Sequence, residues 1–112
     1  MKKIRICTPV MGRTLSEFLK NLDQVQEISE MVELKADGII NLDEGGLSLI
    51  RKKSRKETIF TSQKKEIILR ALNLEFDFVD IELSLISSLD ISKIDRTKII
   101  ASFHDFEKTI DI

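Results

Sequence analysis

Short β-rich runs separated by helical segments recur along this chain, and this alternation limits its fold more than any other feature. The runs are residues 4–8, Met31–Lys35, Glu57–Thr61, Phe78–Glu82 and residues 98–103. Their starts lie about 20 to 27 residues apart, which is the length of one strand, one helix and two turns. The pattern predicts an α/β fold with a parallel sheet built from right-handed βαβ units.

The segments between these runs differ in how strongly they predict helices. After the first run, Thr14 and Glu17 form a capping box, and an apolar stripe follows at helical spacing. Residues 64–74 show the same spacing. Residues 43–53 predict a weaker helix, because Gly45 and Gly46 fall in its first turn. Residues 85–97 are short and rich in Ser and Asp, which predicts one or two helical turns.

The strands keep polar residues on one face near their carboxyl ends and apolar residues on the other. The polar pairs are Glu33 with Lys35, Thr61 with Gln63, Asp80 with Glu82, and Ser102 with His104. A doubly wound sheet would instead bury both faces of its strands under helices. One helix-covered face and one polar face are typical of a (β/α) barrel, whose active sites lie at the carboxyl ends of the strands.

The length of the chain limits how much of such a barrel it can form. A closed eight-stranded barrel takes roughly 250 residues, whereas this chain has 112. We therefore expect residues 1–112 to be a single domain, a partial (β/α)8 TIM barrel of about five strands that stops before strand six. It is then a fragment of a longer protein, a degenerate paralogue, or one half of an assembly with a second copy or a second half-barrel chain.

The side chains at the predicted rim suggest chemistry, although each has a structural alternative. His104, the one histidine, ends the fifth strand and could act as a general acid or base, or could be satisfied by local hydrogen bonds. Glu82 ends the neighbouring strand and could orient the imidazole, or could form a structural salt bridge. Glu33 and Lys35 could bind a polar substrate, or could neutralise each other.

Other function classes have little support in the sequence. The net charge is −1, and the one basic run, residues 51–56, is interpreted as the solvated end of a helix, so no nucleic-acid partner is expected. One His and one Cys without paired spacing predict no metal site. No signal peptide or membrane-spanning stretch is present in the sequence, and a lone Cys7 suits a reducing compartment, so we expect a cytoplasmic protein with no membrane partner.

Five blocks in register resemble the first half of the type I 3-dehydroquinate dehydratases, shikimate-pathway lyases that are eight-stranded barrels without a metal or organic cofactor. The blocks, one for each strand, are C-T-P-V-M-G-R at 7–13, V-E-L-K-A-D at 32–37, I-F-T at 59–61, V-D-I-E-L at 79–83 and S-F-H-D-F-E-K-T at 102–109. The last block is the most specific.

The resemblance implies roles for the rim residues. In the family, a lysine on the sixth strand forms an imine with the ketone of 3-dehydroquinate. A histidine matching His104 removes the C2 proton and helps expel the C1 hydroxyl as water, which gives 3-dehydroshikimate. A glutamate matching Glu82 orients that histidine, and one matching Glu33 contacts substrate hydroxyls.

The chain also departs from the family pattern. Lys35 and Gln63 stand where the family has substrate-binding arginines, the glycine-containing loop after Gln63 is deleted, and Ile110 replaces a proline. The imine-forming lysine would lie beyond Ile112. We therefore expect the 112 residues alone to be inactive. The alternatives are a non-catalytic half-barrel interaction or assembly module, and a binder that keeps the rim pocket without the chemistry.

Overall fold

The computed structural model describes residues 6–86 and 98–102, in which five parallel strands form one sheet. The strands are β1 (Cys7–Val10), β2 (Met31–Lys35), β3 (Glu57–Thr61), β4 (Phe78–Glu82) and β5 (Lys98–Ser102), and they lie side by side in sequence order. The helices are α1 (Leu15–Gln26), α2 (Glu44–Lys53), α3 (Lys65–Asn73) and α4 (Leu83–Ile86), with a 3-10 turn at Ala36–Gly38. Sequential parallel strands alternating with helices form part of an α/β barrel, as the sequence predicts.

The predicted bounds hold closely for the three inner strands, and they differ at the first strand. Strand β1 continues through Pro9 to Val10, where the sequence analysis ended it at Thr8. Pro9 is tolerated because β1 pairs with only one described strand, β2, and a proline at such an edge removes no donor that the sheet needs. Residue Phe103, the predicted end of the fifth strand, lies outside the described residues.

Helix α2 forms over Glu44–Lys53, and the two glycines that fall in its first turn do not prevent it. Asp43 caps this helix, since its Oδ1 accepts a hydrogen bond from the Gly46 amide at 2.7 Å. A Cβ at Gly46 would lie 2.9 Å from Leu42 Cδ1, so a side chain at this position would require the end of the Leu42 side chain to shift. Helix α4 begins directly after β4, two residues earlier than predicted, and residues 87–97 of the predicted helical segment are outside the described ranges.

The hydrophobic core lies between one face of the sheet and the helices. The strands contribute residues of one parity, and the helices contribute their apolar stripes; these buried side chains include Val10, Val32, Leu34, Phe60, Val79, Ile81, Phe18, Leu22, Leu47, Ile50 and Ile68. Thr14 caps α1 by accepting from the Glu17 amide at 3.1 Å, which confirms that half of the predicted capping box. Among the described residues, the opposite face of the sheet holds the polar residues.

The turns at the amino ends of the strands are fixed by two polar side chains, of which Gln26 is buried and Asp77 is exposed. Gln26, which is 1% exposed, accepts from the Arg55 and Lys56 amides and donates to the Lys53 carbonyl. Asp77 Oδ2 accepts from the amide and hydroxyl of Thr58, at 2.9 and 3.3 Å. Gln26 thus ties the end of α1 to the segment that leads into β3, and Asp77 ties the segment that leads into β4 to β3 itself.

The basic run at residues 51–56 begins in the last turn of α2, as predicted, but its first arginine is not simply solvated. Arg51 Nε donates to the Leu74 carbonyl at 3.0 Å, and the guanidinium lies 5.8 Å from the centroid of the Phe76 ring. Within the described ranges, no helix is both long enough and apolar enough to cross a membrane.

Candidate active site

A cavity of about 700 Å³ opens at the carboxyl ends of the strands, on the face of the sheet that the helices leave free. The loop after β1, helix α1, the ends of β2, β3 and β4, and the loops that follow β2 and β3 all line it. Its charged lining residues are Arg13, Glu17, Glu33, Lys35, Asp37, Asp80 and Glu82. A volume of this size is typical of small-molecule sites.

Strand register places the lining residues in levels. Lys35, Thr61 and Asp80 are ladder partners on β2, β3 and β4, so they form one row across the cavity wall. Glu33 lies one level closer to the amino ends, where Ile59 is its partner, and Glu82 lies one level closer to the carboxyl ends. Side chains of one parity share a face, so the row and its two flanking carboxylates face the same cavity.

Four of the five residues predicted for the site therefore come together. Glu33, Lys35, Gln63 and Glu82 all line the cavity. His104 lies outside the described residues, so its proximity to Glu82 stays a prediction. Within the described part of the chain, no group of three or more His, Cys, Asp and Glu side chains could hold a metal ion.

The charged groups of the cavity are not neutralised by one another. Five carboxylates and two cations line the described wall. The one ion pair recorded among residues 6–86 and 98–102 joins Arg55 to Glu27, far from the cavity, at 4.0 Å. Glu33 and Lys35 thus form no ion pair, which favours their interpretation as ligand-binding groups over mutual neutralisation.

Asp37 organises the loop between β3 and α3. Its Oδ1 accepts from the Ser62 hydroxyl at 2.5 Å, and its Oδ2 accepts from the Gln63 amide at 2.8 Å. The Ser62 oxygen in turn accepts from the Lys64 amide at 3.0 Å, where α3 lacks a side-chain cap of its own. Asp37 therefore fixes the position of Gln63 at the rim, a role that the sequence analysis did not assign to it.

The loop after β1 is held over the opposite side of the cavity. A Cβ at Gly12 would lie 2.6 Å from the Phe18 amide nitrogen, so only glycine fits this close approach to α1. Asn21 Nδ2 donates to the Met11 carbonyl at 2.7 Å, and the Ile40 amide donates to the Arg13 carbonyl at 2.8 Å. The backbone of this part of the rim is therefore held in place by close packing and by hydrogen bonds.

Two further groups on this face have an unusual environment. Burial, and secondly the negative charge of Glu33, raise the pKa of the Cys7 thiol. Oδ1 of Asp80 is buried and has no hydrogen-bond partner among the described residues. Asp80 lies on the predicted polar face, but the sequence indicates no role for it. A missing hydrogen-bond partner cannot be read from a sequence.

Comparison with known proteins agrees with this geometry. The sequence model of the family described as Type I 3-dehydroquinase matches residues 6–112. The chain belongs to that family. The match includes every lining residue of the cavity, together with His104.

Individual members of the family are similar over nearly the whole chain. A 3-dehydroquinate dehydratase of Coxiella burnetii (strain CbuK_Q154) is 32% identical over 119 residues, which cover 94% of this chain and 51% of that protein. The 3-dehydroquinate dehydratase of Methanocaldococcus jannaschii is 28% identical, over 93% of this chain and 54% of that protein. A bifunctional 3-dehydroquinate dehydratase/shikimate dehydrogenase of Arabidopsis thaliana is 26% identical, over 93% of this chain and 21% of that protein. The chain thus spans about half the length of the first two relatives.

Proposed function

We propose that residues 1–112 are the N-terminal portion of a 3-dehydroquinate dehydratase barrel and carry its substrate-binding and proton-transferring groups. Membership of the type I family over residues 6–112 is the observation that carries this proposal. The cavity supports it, because Glu33, Lys35, Gln63 and Glu82 meet at the carboxyl ends of adjacent strands. The substrate would be 3-dehydroquinate and the product 3-dehydroshikimate.

The proposed substrate contacts follow from the chemistry of the lining groups. The carboxylate of Glu33 would accept hydrogen bonds from ring hydroxyls, and the amide of Gln63 would contact polar groups at the rim. Lys35 would attract the substrate carboxylate as a point charge, without the paired donors of an arginine. The absence of an ion pair at Lys35 leaves its charge available for this contact.

The proposed reaction needs one group from outside these residues. By family resemblance, a lysine amine attacks the substrate ketone, water leaves, and a protonated imine forms. His104, oriented by Glu82, then takes the C2 proton, and the electron pair of that C–H bond moves toward the imine nitrogen. The C1 hydroxyl departs as water with a proton returned by His104, and hydrolysis of the imine releases the product. The lysine would be supplied by strand six, outside residues 1–112.

The first experiment separates imine formation from proton transfer. A polypeptide of residues 1–112 alone, mixed with 3-dehydroquinate and borohydride, should show no covalent adduct by mass spectrometry and no dehydration. A stable mass increase on any lysine within 1–112 would contradict this assignment. In a protein with the complete barrel, His104→Gln should keep the borohydride adduct but abolish turnover, whereas loss of the adduct would remove the proposed role of His104.

A second candidate is a half-barrel that serves assembly rather than catalysis. Strands β1 and β5 each pair with one described strand only, and Ile100 on β5 is 36% exposed. Edge strands of this kind readily pair with further strands. Sedimentation of residues 1–112 across a concentration series should then show association, and a well-folded monomer at every concentration would refute this candidate.

A further inference from the structure

The cavity contains a carboxylate that the described protein leaves without a partner. Oδ1 of Asp80 is buried and accepts no hydrogen bond from residues 6–86 or 98–102. Buried acceptors in native proteins almost always have a partner, so an exception in a cavity indicates a group that is completed by something else. Asp80 lines the cavity from the middle of its wall, on β4.

The neighbours of Asp80 cannot supply the missing donor. On β3 its ladder partner is Thr61, whose hydroxyl donates instead to the Leu34 carbonyl at 3.4 Å. On β5 its ladder partner is Ile100, which is apolar. Lys35 shares the row but is two strands away, roughly 10 Å between Cα atoms, and forms no ion pair with Asp80.

The carboxylate that precedes the same strand provides a contrast. Asp77 lies at the amino end of β4 and accepts two hydrogen bonds from Thr58, while its own amide donates to the Thr58 hydroxyl at 3.2 Å. Three residues apart, the fold satisfies one aspartate and leaves one oxygen of the other without a partner among the described residues. A general shortage of donors around β4 therefore does not explain Asp80.

We propose that Asp80 is a further ligand-binding residue of this cavity, whose carboxylate accepts a hydrogen bond from a hydroxyl group of the bound ligand. The proposal deepens the proposed function and rests on it for the class of ligand, a polyhydroxylated cyclohexane carboxylic acid. In the ligand-free protein the unpaired oxygen destabilises the fold, and a hydrogen bond donated by a ligand hydroxyl to the carboxylate offsets this penalty. Asp80 thus makes affinity depend on the hydroxyl groups of the ligand. The cations of the cavity make affinity depend on the carboxylate of the ligand.

The test compares two aspartates and two probe molecules. Asp80→Ala and Asp77→Ala are compared with the unmodified 112-residue chain in chemical denaturation and in calorimetric titration. Asp80→Leu, which approximates the outline of aspartate without its charge, is a second variant for stability. Quinate provides ring hydroxyls and a carboxylate without the ketone that an imine requires, and cyclohexanecarboxylate provides the ring and carboxylate alone.

The expected results differ at the two positions. Replacement of Asp80 should leave the denaturation midpoint unchanged or raise it, with Asp80→Leu the more stable variant, whereas Asp77→Ala should lower it. Asp80→Ala should weaken quinate binding by about tenfold or more and should leave cyclohexanecarboxylate binding unchanged.

Three results would overturn the role of Asp80: a lowered midpoint in both Asp80 variants, equal quinate affinity with and without the carboxylate, or no quinate binding by the unmodified chain. Failure of the proposed function is distinguishable from these. A complete barrel that binds quinate through Asp80 but does not dehydrate 3-dehydroquinate would refute the dehydratase and retain the binding role. An active barrel whose quinate affinity does not depend on Asp80 would retain the dehydratase and refute the binding role of Asp80.

Discussion

The two ends of the sheet use polar side chains in opposite ways. At the amino ends, Gln26 and Asp77 are each held by three hydrogen bonds to the protein, counting the bond from the Asp77 amide. At the carboxyl ends, Glu33, Lys35 and Glu82 line a cavity without an ion pair to any described residue. Polar side chains therefore connect parts of the protein at one end of the sheet and stay available to a ligand at the other.

This difference distinguishes the polar residues of a barrel wall that stabilise the fold from those that are available to bind a ligand. A polar group that is fully bonded within the protein has little capacity left for a ligand, and its loss exposes or orphans its partners. A group without protein partners adds little to stability and keeps its capacity for binding. Asp37 is the exception at the carboxyl ends, because it bonds to Ser62 and Gln63.

The largest stability loss is expected from Gln26→Ala at the amino ends. The change leaves the Arg55 and Lys56 amides and the Lys53 carbonyl without their partner, and should lower the free energy of unfolding by about 3 kcal/mol. Urea denaturation followed by circular dichroism measures it. Gln63→Ala is the matched control at the carboxyl ends and should change stability by less than about 0.5 kcal/mol; similar losses in both variants would contradict the distinction.

Asp37→Ala should have an intermediate effect, because this residue belongs to the carboxyl ends but is bonded within the protein. Loss of the acceptor for Ser62 and Gln63 should lower the free energy of unfolding by about 1 to 2 kcal/mol. Asp37→Asn keeps one acceptor oxygen and should recover part of that loss. Denaturation of both variants decides the point, and an unchanged midpoint in Asp37→Ala would place Asp37 with the unpaired residues.

Lys35→Gln should leave stability nearly unchanged while it weakens binding. Because Lys35 has no ion-pair partner among the described residues, its loss should change the free energy of unfolding by less than about 0.5 kcal/mol. Affinity for quinate should fall about tenfold through loss of the charge contact. Calorimetry and denaturation on the same samples test both statements, and a destabilised variant with intact affinity would reverse the assignment.

The smallest effect is expected at Cys7, on the cavity face of β1. Because burial and the Glu33 carboxylate raise the pKa of its thiol, less thiolate is present at a given pH below that pKa, and alkylation is slowed. Glu33→Gln removes the second cause and should shift the pH profile of iodoacetamide alkylation toward lower pH. An identical profile in the variant would show that Glu33 does not act on this thiol.

The sequence predicted the fold well where local patterns and tertiary structure agree. Alternation within Met31–Lys35 and Phe78–Glu82 matched strands with identical bounds, because one buried face requires that period. The capping bond from Gly46 to Asp43 and the close approach of Gly46 to Leu42 could not be read from the sequence, because they depend on three-dimensional contacts. The sequence predicted the end of β1 at Thr8, two residues too early, because the position of β1 in the sheet could not be inferred from Pro9 alone.

For the candidate site, the sequence predicted which residues gather but not how they are bonded. Parity and position placed Glu33, Lys35, Gln63 and Glu82 at one rim, and the structure brings these four to one cavity. The structural role of Asp37 and the open acceptor of Asp80 were not predicted, because both depend on which donors lie within about 3 Å. The position of His104 beside Glu82 stays a prediction.

The order of the strands in the sheet has a consequence for how the chain folds. Each described strand is hydrogen-bonded only to strands that directly precede or follow it in the sequence. Every βα unit can therefore dock on a neighbour that has already been synthesised, without waiting for a distant segment. We expect the wall of the cavity to form progressively from β1 onward while the chain is still emerging from the ribosome.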